Sequence, residues 1–403
     1  MSETPNLSKL ESRQQDKFLP TLTHIFTVAQ WFGIPSYGNK FAICWAVIVL
    51  CMLTVVEGAA IWMMIRLLAG IAKHIDDGRG LTARLSGSIF YANGFLSLIL
   101  SWKFMYSWKR LSFYWKRAEL VDVSLAIPDE AIQRKVIVVT CFVSVCAFAE
   151  HLLSMILAIG IDSPPMDFLE RYILNSHAFL ITPNTYSLWS AILIFFVSKI
   201  ATILWNFQDL IIILISMGLT SRYHRLNSFV NLCVKNEKTN RDKTSVTEKY
   251  VRTHQWRRIR EAYVRQAALV RMVDANIGAL VLLSNVNNFY FICLQLFLGL
   301  TKSQGSLVSY LYYFISLGWL LFRACSVVLA AADVHIHSRR ALEYLQTCPG
   351  TGFNIEIMRL NNQLSHDFVA LSGMGFFSLS RQTLLEVAGN IIKYELVLIQ
   401  YDK

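Results

Sequence analysis

Seven apolar stretches divide this chain, and its Lys and Arg residues crowd into alternate connections between them. The stretches cover 41–65, 86–102, 136–159, 188–217, 277–300, 308–332 and 375–400. Each is close to the roughly 20 residues that carry a helix across a hydrocarbon core of about 30 Å. The pattern predicts an all-α polytopic membrane protein with seven transmembrane helices.

The charges orient it. Of the 38 Lys and Arg residues, 27 fall in the connections on the side of the N-terminus and few in the opposite set. Basic residues are retained on the cytoplasmic face, so the N-terminus is expected inside and the C-terminus outside. The loop 220–276 supplies 13 of them and is long enough to count less, but the imbalance holds without it. This orientation is the reverse of a G-protein-coupled receptor.

Composition narrows the function classes. A 403-residue chain that is 54% hydrophobic, with a mean hydropathy of +0.42, is too apolar for a set of soluble domains. Its net charge of +11 sits beside span ends, where anionic lipid headgroups lie, so membrane lipids and not nucleic acid are the expected partners. The first forty residues are polar and mixed in charge, without the apolar core of a signal peptide, and the first span is expected to direct insertion. The eight cysteines fall in spans or inner loops, which leaves no extracellular disulfide framework.

No HExxH, GxSxG, P-loop, CxxC or GxGxxG motif stands in a usable position. His335 and His337, two apart, point to different faces of a helix and suit shared metal ligation poorly. No enzymatic activity, metal or cofactor is expected.

Four regions follow. Residues 1–40 form a cytoplasmic segment. Residues 41–332 hold the first six spans, with the cytoplasmic extension 220–276. Its second half lacks Pro and carries a single Gly, so it reads as a helix running into the fifth span. Residues 333–374 form a second cytoplasmic segment, interrupted at Pro349 and Gly350. Both segments could pack together as an intracellular bundle or remain solvated loops. Residues 375–403 contain the seventh helix and a short extracellular end.

Polar side chains inside spans are costly and mark functional positions, unless they pair with a neighbouring helix. Glu150 and His151 lie in the outer half of the third span, and Tyr91, Asn93, Trp189, Asn288, Gln295, Tyr312 and Trp319 share that depth. Amides and carboxylates bond hydroxyls while aromatic faces cover C–H surfaces, the mixture a sugar requires. Each aromatic also suits an interfacial belt. Asp209, closer to the cytoplasm, reads as structural glue.

The seventh stretch carries Arg381, Glu386, Asn390, Lys393, Glu395 and Gln400, too polar to face lipid. Val397, Gln400 and Tyr401 stand at i, i+3 and i+4, on one helix face. Gathered around an axis by several subunits, that face makes an aqueous pore. Packed inside one monomer, it makes a shielded polar helix.

The run Lys393-Tyr-Glu-Leu-Val-Leu-Ile-Gln-Tyr401 resembles the C-terminal signature of insect gustatory receptors, Thr-Tyr, five mostly apolar residues and Gln-Phe. Lys393 replaces the Thr and Tyr401 the Phe. FFSLSRQTLLEVAG (376–389), NNFYFICLQLF (287–297) and ILWNFQDLIIILISMGL (203–219) look like the sugar-sensing branch. The resemblance implies a ligand-gated, non-selective cation channel in the plasma membrane of taste neurons, tetrameric, with a sugar pocket in the outer half of each subunit. It also implies a central pore lined by the seventh helices, here at Val397, Gln400 and Tyr401, and an anchor between subunits built by the cytoplasmic extensions. Mono- or disaccharides are then the ligands, cations the permeant species, and the assembly a homotetramer or a heterotetramer with related subunits. Lys393 is a departure that places positive charge near the cation path if it faces the axis.

Two other classes fit the residues without the resemblance. One is a secondary transporter of small polar solutes, with Glu150, His151 and Lys199 as a midplane relay. The other is a receptor that signals through a cytosolic partner on the basic loop.

Overall fold

The computed structural model of the chain describes residues 17–35, 39–69, 81–122, 129–160, 164, 167–239, 246–301, 307–348 and 354–401. Among these it is helical, with one isolated antiparallel bridge and no named strand. In chain order the helices are α1 (Phe18–Ala29), α2 (Lys40–Leu68), α3 (Leu81–Asp122), α4 (Ala131–Ile159), α5 (Phe168–Ser176) and α6 (Leu188–Thr239). Then follow α7 (Val246–Thr301), α8 (Leu307–Arg339), α9 (Ala341–Gln346), α10 (Ile355–His366) and α11 (Arg381–Tyr401).

Six of these, α2, α3, α4, α6, α7 and α8, are long and apolar enough to cross a membrane. The last, α11, falls outside that group, in keeping with its charged and amide side chains. At 52 and 56 residues, α6 and α7 are about 80 Å long, well beyond what a bilayer takes up, so each runs on past its apolar span as an extension.

Helix α6 is the centre of the bundle. From Phe207 to Ser216 every residue is buried, so the helix is enclosed on all sides rather than on one stripe. It packs most extensively on α8 and also on α3 and α7. Helix α4 lies outermost, presenting Val138, Phe142, Val145 and Phe148 to the surroundings. A row of exposed large apolar side chains is what a lipid-facing helix shows.

The extensions do pack together. Tyr263 on α7 donates to Asn227 on α6 at 2.6 Å, and Asn227 donates to the His337 carbonyl on α8 at 2.8 Å. Arg222 donates to Gln266 at 2.7 Å with both side chains buried. Arg260 reaches across to Glu356 at the start of α10 at 2.8 Å. Pro349 and Gly350 lie outside the described residues.

Two local structures differ from the sequence expectation. The segment before the first span is not merely polar: Phe18, Leu22, Phe26 and Ala29 form one buried stripe of α1. Phe18 stacks on Trp115 at 5.2 Å and Phe26 meets Trp108 edge-on at 5.1 Å, so α1 is fastened to the extension of α3. A Cβ on Gly218 of α6 would collide with the Phe18 ring, so the glycine makes room for this helix.

The final helix starts at Arg381, not at 375. Residues 371–379 form a tight hairpin-like turn, with Ser372 bridged to Ser378 and with Met374 and Gly375 both left-handed (φ 54° and 78°). Asp274 of α7 holds it, accepting from the Ser372 amide at 2.6 Å and its hydroxyl at 2.9 Å. Apolar composition alone extends the stretch backward through Phe376 and Phe377, but two consecutive residues at positive φ cannot continue a right-handed helix.

Candidate functional site

A cavity of about 290 Å³ opens near the end of the bundle remote from the long extensions. That is the lower end of the range for small-molecule sites. The start of α3, the end of α4, α5 and the segment after it, the first half of α6, and facing stretches of α7 and α8 build its wall. Six of the nine residues expected from sequence line it: Tyr91, Glu150, His151, Gln295, Tyr312 and Trp319.

Glu150 is the focus of one side. Its Oε1 accepts from Ser316 Oγ at 2.9 Å and, more weakly, from the Tyr312 hydroxyl at 3.4 Å. Gln295 Nε2 donates to the same Ser316 at 3.0 Å. The result is a chain of donors leading into one carboxylate. A hydroxyl-rich guest can enter such a chain by offering its own O–H to Glu150.

The other side is cationic. Lys199 Nζ lies 2.6 Å from His151 Nε2 and 3.0 Å from the Tyr172 hydroxyl, and it sits over the Tyr172 ring at 4.3 Å. An ammonium has no lone pair, so His151 Nε2 must accept. His177, between the third and fourth apolar helices, is buried, and burial first and the Lys199 charge second hold its imidazole down to about 3. It is therefore a neutral wall residue.

The floor is a buried charge pair. Arg323 Nε lies 2.7 Å from Asp209 Oδ2, with both side chains sealed from solvent. The N–H of that nitrogen is not aimed along the contact; the pair is held by Coulomb attraction and by its neighbours. Asp209 also accepts from Ser284 and from Asn288 at 3.2 Å, while Arg323 donates to Asn206 at 2.6 Å and lies over Trp205 at 4.5 Å.

Three expected residues fall elsewhere. Trp189 is 81% exposed on the outside of α6. Nine residues separate it from Ser198, a cavity residue, and nine steps of 100° leave the two on opposite helix faces. Asn93 is buried against Gln208 at 3.4 Å, two residues round the helix from Tyr91. Asn288 lies beneath the floor, bonded to Asp209 and Arg323. Sequence depth placed all three correctly along their helices but not around them.

Arg323, Ser316, Tyr172 and His177 line the cavity without having been singled out, and Trp205, grouped from sequence with Asp209 as structural glue, lines it as well. For Arg323 the signal was present, because an arginine inside an apolar stretch obeys the same rule that marked Glu150. His177 and Tyr172 come from the connection between spans, where no such rule applies. The side chains of Val397, Gln400 and Tyr401 lie outside the described residues; their backbone is helical, in α11.

One helix joins the cavity to α11. Phe291 and Gln295 of α7 line the cavity, and Phe289, about 200° round the same helix from Phe291, packs edge-on against Tyr394 at 5.7 Å. The helix that lines the cavity is therefore also in contact with α11.

The family described as Trehalose receptor matches residues 1–403. The chain is 31% identical over 324 residues to the Gustatory receptor for sugar taste 64f of Drosophila melanogaster, covering 78% of this chain and 65% of that one. It therefore spans just under two thirds of that relative's length. It is 31% identical over 313 residues to the Gustatory receptor 5a for trehalose of the same fly, covering 76% and 67%. With the Gustatory receptor for sugar taste 64b the identity is 26%, over 96% of this chain and 95% of the relative. In structure it is similar to the insect olfactory receptor OR5 from Machilis hrabei in complex with eugenol, with TM-score 0.68, 13% identity, and coverage of 96% of this chain and 100% of that one. At that identity the likeness establishes the fold.

Proposed function

The chain belongs to the trehalose receptor family of insect gustatory receptors, and from that premise we propose that it is a sugar-gated, non-selective cation channel in the plasma membrane of gustatory neurons. Seven helices per subunit, an inner N-terminus and an outer C-terminus complete the reading, with four subunits around a pore lined at Val397, Gln400 and Tyr401. Tetramers of this chain alone and mixed tetramers with related subunits both satisfy it.

One observation supports the ligand class above others. Polar atoms of the cavity wall, His177 Nδ1 and Gln295 Oε1 among them, are buried without a hydrogen-bond partner among the described residues. Buried orphans of this kind cost free energy until something bonds them. A polyol that bonds Gln295, Glu150 and His177 through its hydroxyls while its C–H faces rest on Trp205 and Trp319 would satisfy these groups and fill the space. An apolar odorant-like guest would leave them orphaned.

Gating follows from the shared helix. A sugar drawn between α4, α7 and α8 closes the cavity, shifts α7, and through Phe289 and Tyr394 moves α11 so that the pore ring widens. It can do so only by binding the open arrangement more tightly than the closed one. A coupling of about 1–3 kcal/mol per site is usual, and four sites compound it.

The test is to express this chain alone and record whole-cell currents while mono- and disaccharides are applied outside. A sugar-evoked, non-selective cation current supports the reading; silence from a surface-expressed chain, with and without related subunits, refutes it. A secondary transporter draws on the short Lys199–His151 contact as a proton relay. Stoichiometric, proton-coupled sugar uptake without channel-sized current would favour that reading.

A further inference from the structure

The cytoplasmic extension of α3 carries a surface that the cavity, the pore and the intracellular bundle leave unused. Lys103, Tyr106, Arg110, Phe113 and Arg117 follow each other at steps of three and four residues, so they form one stripe along the helix. All five are exposed, Tyr106 at 80% and Phe113 at 68%. Lys116, also exposed, flanks the stripe. The opposite face, with Phe104, Trp108, Leu111 and Trp115, is buried beneath α1.

The stripe itself carries no carboxylate, although Lys103 at its start shares a cavity with Asp274 of α7. No Asp or Glu occurs from Leu81 to Ala118. It also starts at a defined depth. The Trp102 indole donates to the Gly33 carbonyl at 2.8 Å and the Trp45 indole to the Trp31 carbonyl at 2.9 Å. Tryptophans whose N–H groups turn to polar backbone at the ends of apolar helices mark the level where hydrocarbon gives way to headgroups. Lys103 follows directly, and Arg110 and Arg117 lie about 12 and 22 Å further along the helix.

We propose that the Lys103–Tyr106–Arg110–Phe113–Arg117 stripe binds anionic phospholipid headgroups of the cytoplasmic leaflet. This rests on the orientation adopted above, with the N-terminus inside. Lys103 and Tyr106 meet the glycerol and phosphate level, the long cationic side chains extending along the helix toward it. Arg110 reaches phosphates that project from the surface, as on a phosphorylated inositol ring, while Arg117, about two to three Debye lengths out, is largely screened and contributes little. Alternation of rings with cations suits a surface that is anionic and interfacial at once; an acidic protein partner would need neither the belt beside it nor the aromatic rungs.

The test uses full-length protein held on beads in a mild non-ionic detergent, with fluorescent phosphatidylcholine, phosphatidylserine or phosphatidylinositol bisphosphate added in mixed micelles. Retention is expected to rise in that order and to fall as salt is raised. Arg110→Gln is expected to weaken retention of the bisphosphate about fivefold, with Lys116→Gln/Arg117→Gln adding less than about twofold because screening removes most of their field at that distance, and to leave phosphatidylcholine unchanged. Arg110→Lys/Arg117→Lys retains binding within about twofold, since a diffuse anionic surface needs charge and not a guanidinium fork. Lys235→Gln/Lys238→Gln, on the far end of α6, also retains it. Equal retention of all three lipids, or an equal loss in the α6 control, overturns the proposal. So does release of the bound lipid by a soluble acidic peptide at low concentration. A separate arm tests the orientation: Ser112→Cys should react with an impermeant maleimide only after cells are permeabilised. Labelling of intact cells would refute the inner-leaflet assignment and the topology together, whereas lipid indifference with correct labelling would refute the stripe alone.

Discussion

Replacing Glu150 should move the sugar dose response without touching conduction, and the structure sets the size of the effect. The carboxylate accepts one good hydrogen bond, from Ser316 at 2.9 Å, and one long one, from Tyr312 at 3.4 Å. A sugar hydroxyl that takes the place of either meets an ionised acceptor, and a hydrogen bond to a charged group contributes about 1.5–3 kcal/mol against about 1 for a neutral one. Glu150→Gln keeps the shape and an acceptor oxygen but loses the charge, a difference of about 1 kcal/mol, so the half-maximal concentration should rise about fivefold. Glu150→Ala loses the acceptor as well, about 2 kcal/mol, and should raise it about thirtyfold. The assay is a whole-cell dose response, with surface biotinylation to normalise expression and single-channel records to follow conductance. An Ala variant whose dose response stays within about twofold of the parent, or one whose unitary conductance changes as much as its dose response, would refute the placement of the sugar against Glu150.

Three other outcomes are expected. Arg323→Met should destabilise the purified protein by about 3–5 kcal/mol because it strands Asp209, fully buried, without its counter-ion; Asp209→Asn combined with it should cost clearly less than the sum of the two single changes, read as heat-unfolding midpoints in detergent. Trp189→Leu, on the outer face of α6, should leave the sugar dose response within about twofold, measured by the same recordings. The Arg260 hydrogen bond, with help from Arg359, holds the Glu356 carboxyl below its usual value of 4.5. Its stabilisation is therefore fully present above the ordinary carboxylate range and is lost as pH falls through the lowered pKa. Protection of α10 amides, measured relative to their intrinsic exchange rates, should fall in that acidic window, and Glu356→Gln should abolish that pH dependence of protection while lowering protection at neutral pH.

What could be read from sequence, and what could not, divides along rotation about the helix axis. Length and hydropathy located the apolar helices, and cost of burial singled out Glu150 and His151, because a charge inside hydrocarbon needs a reason. Depth gathered Gln295, Tyr312 and Trp319 with them. Depth alone also gathered Trp189, Asn93 and Asn288, which do not line the cavity, since neighbouring positions along a helix point 100° apart and the pattern of an enclosed helix such as α6 gives no stripe from which to take a bearing. The α1 helix was hidden for the opposite reason: only four of its twelve positions build the apolar stripe, interleaved with Thr and His. The turn at 371–379 depends on an aspartate almost a hundred residues away, which no local pattern reveals.

The docking of α1 also has a timetable. Phe18 leaves the ribosome early, yet the ring that stacks on it belongs to Trp115 and the glycine notch that receives it to Gly218. At about 5–20 residues per second the notch emerges some 10–40 s after the phenylalanine. For about half of that interval the stripe of α1 also lacks Trp108 and Trp115, its partners on α3, and thereafter it lacks only the notch. A helix made about two hundred residues ahead of its glycine notch is thus settled only after much of the bundle has been synthesised.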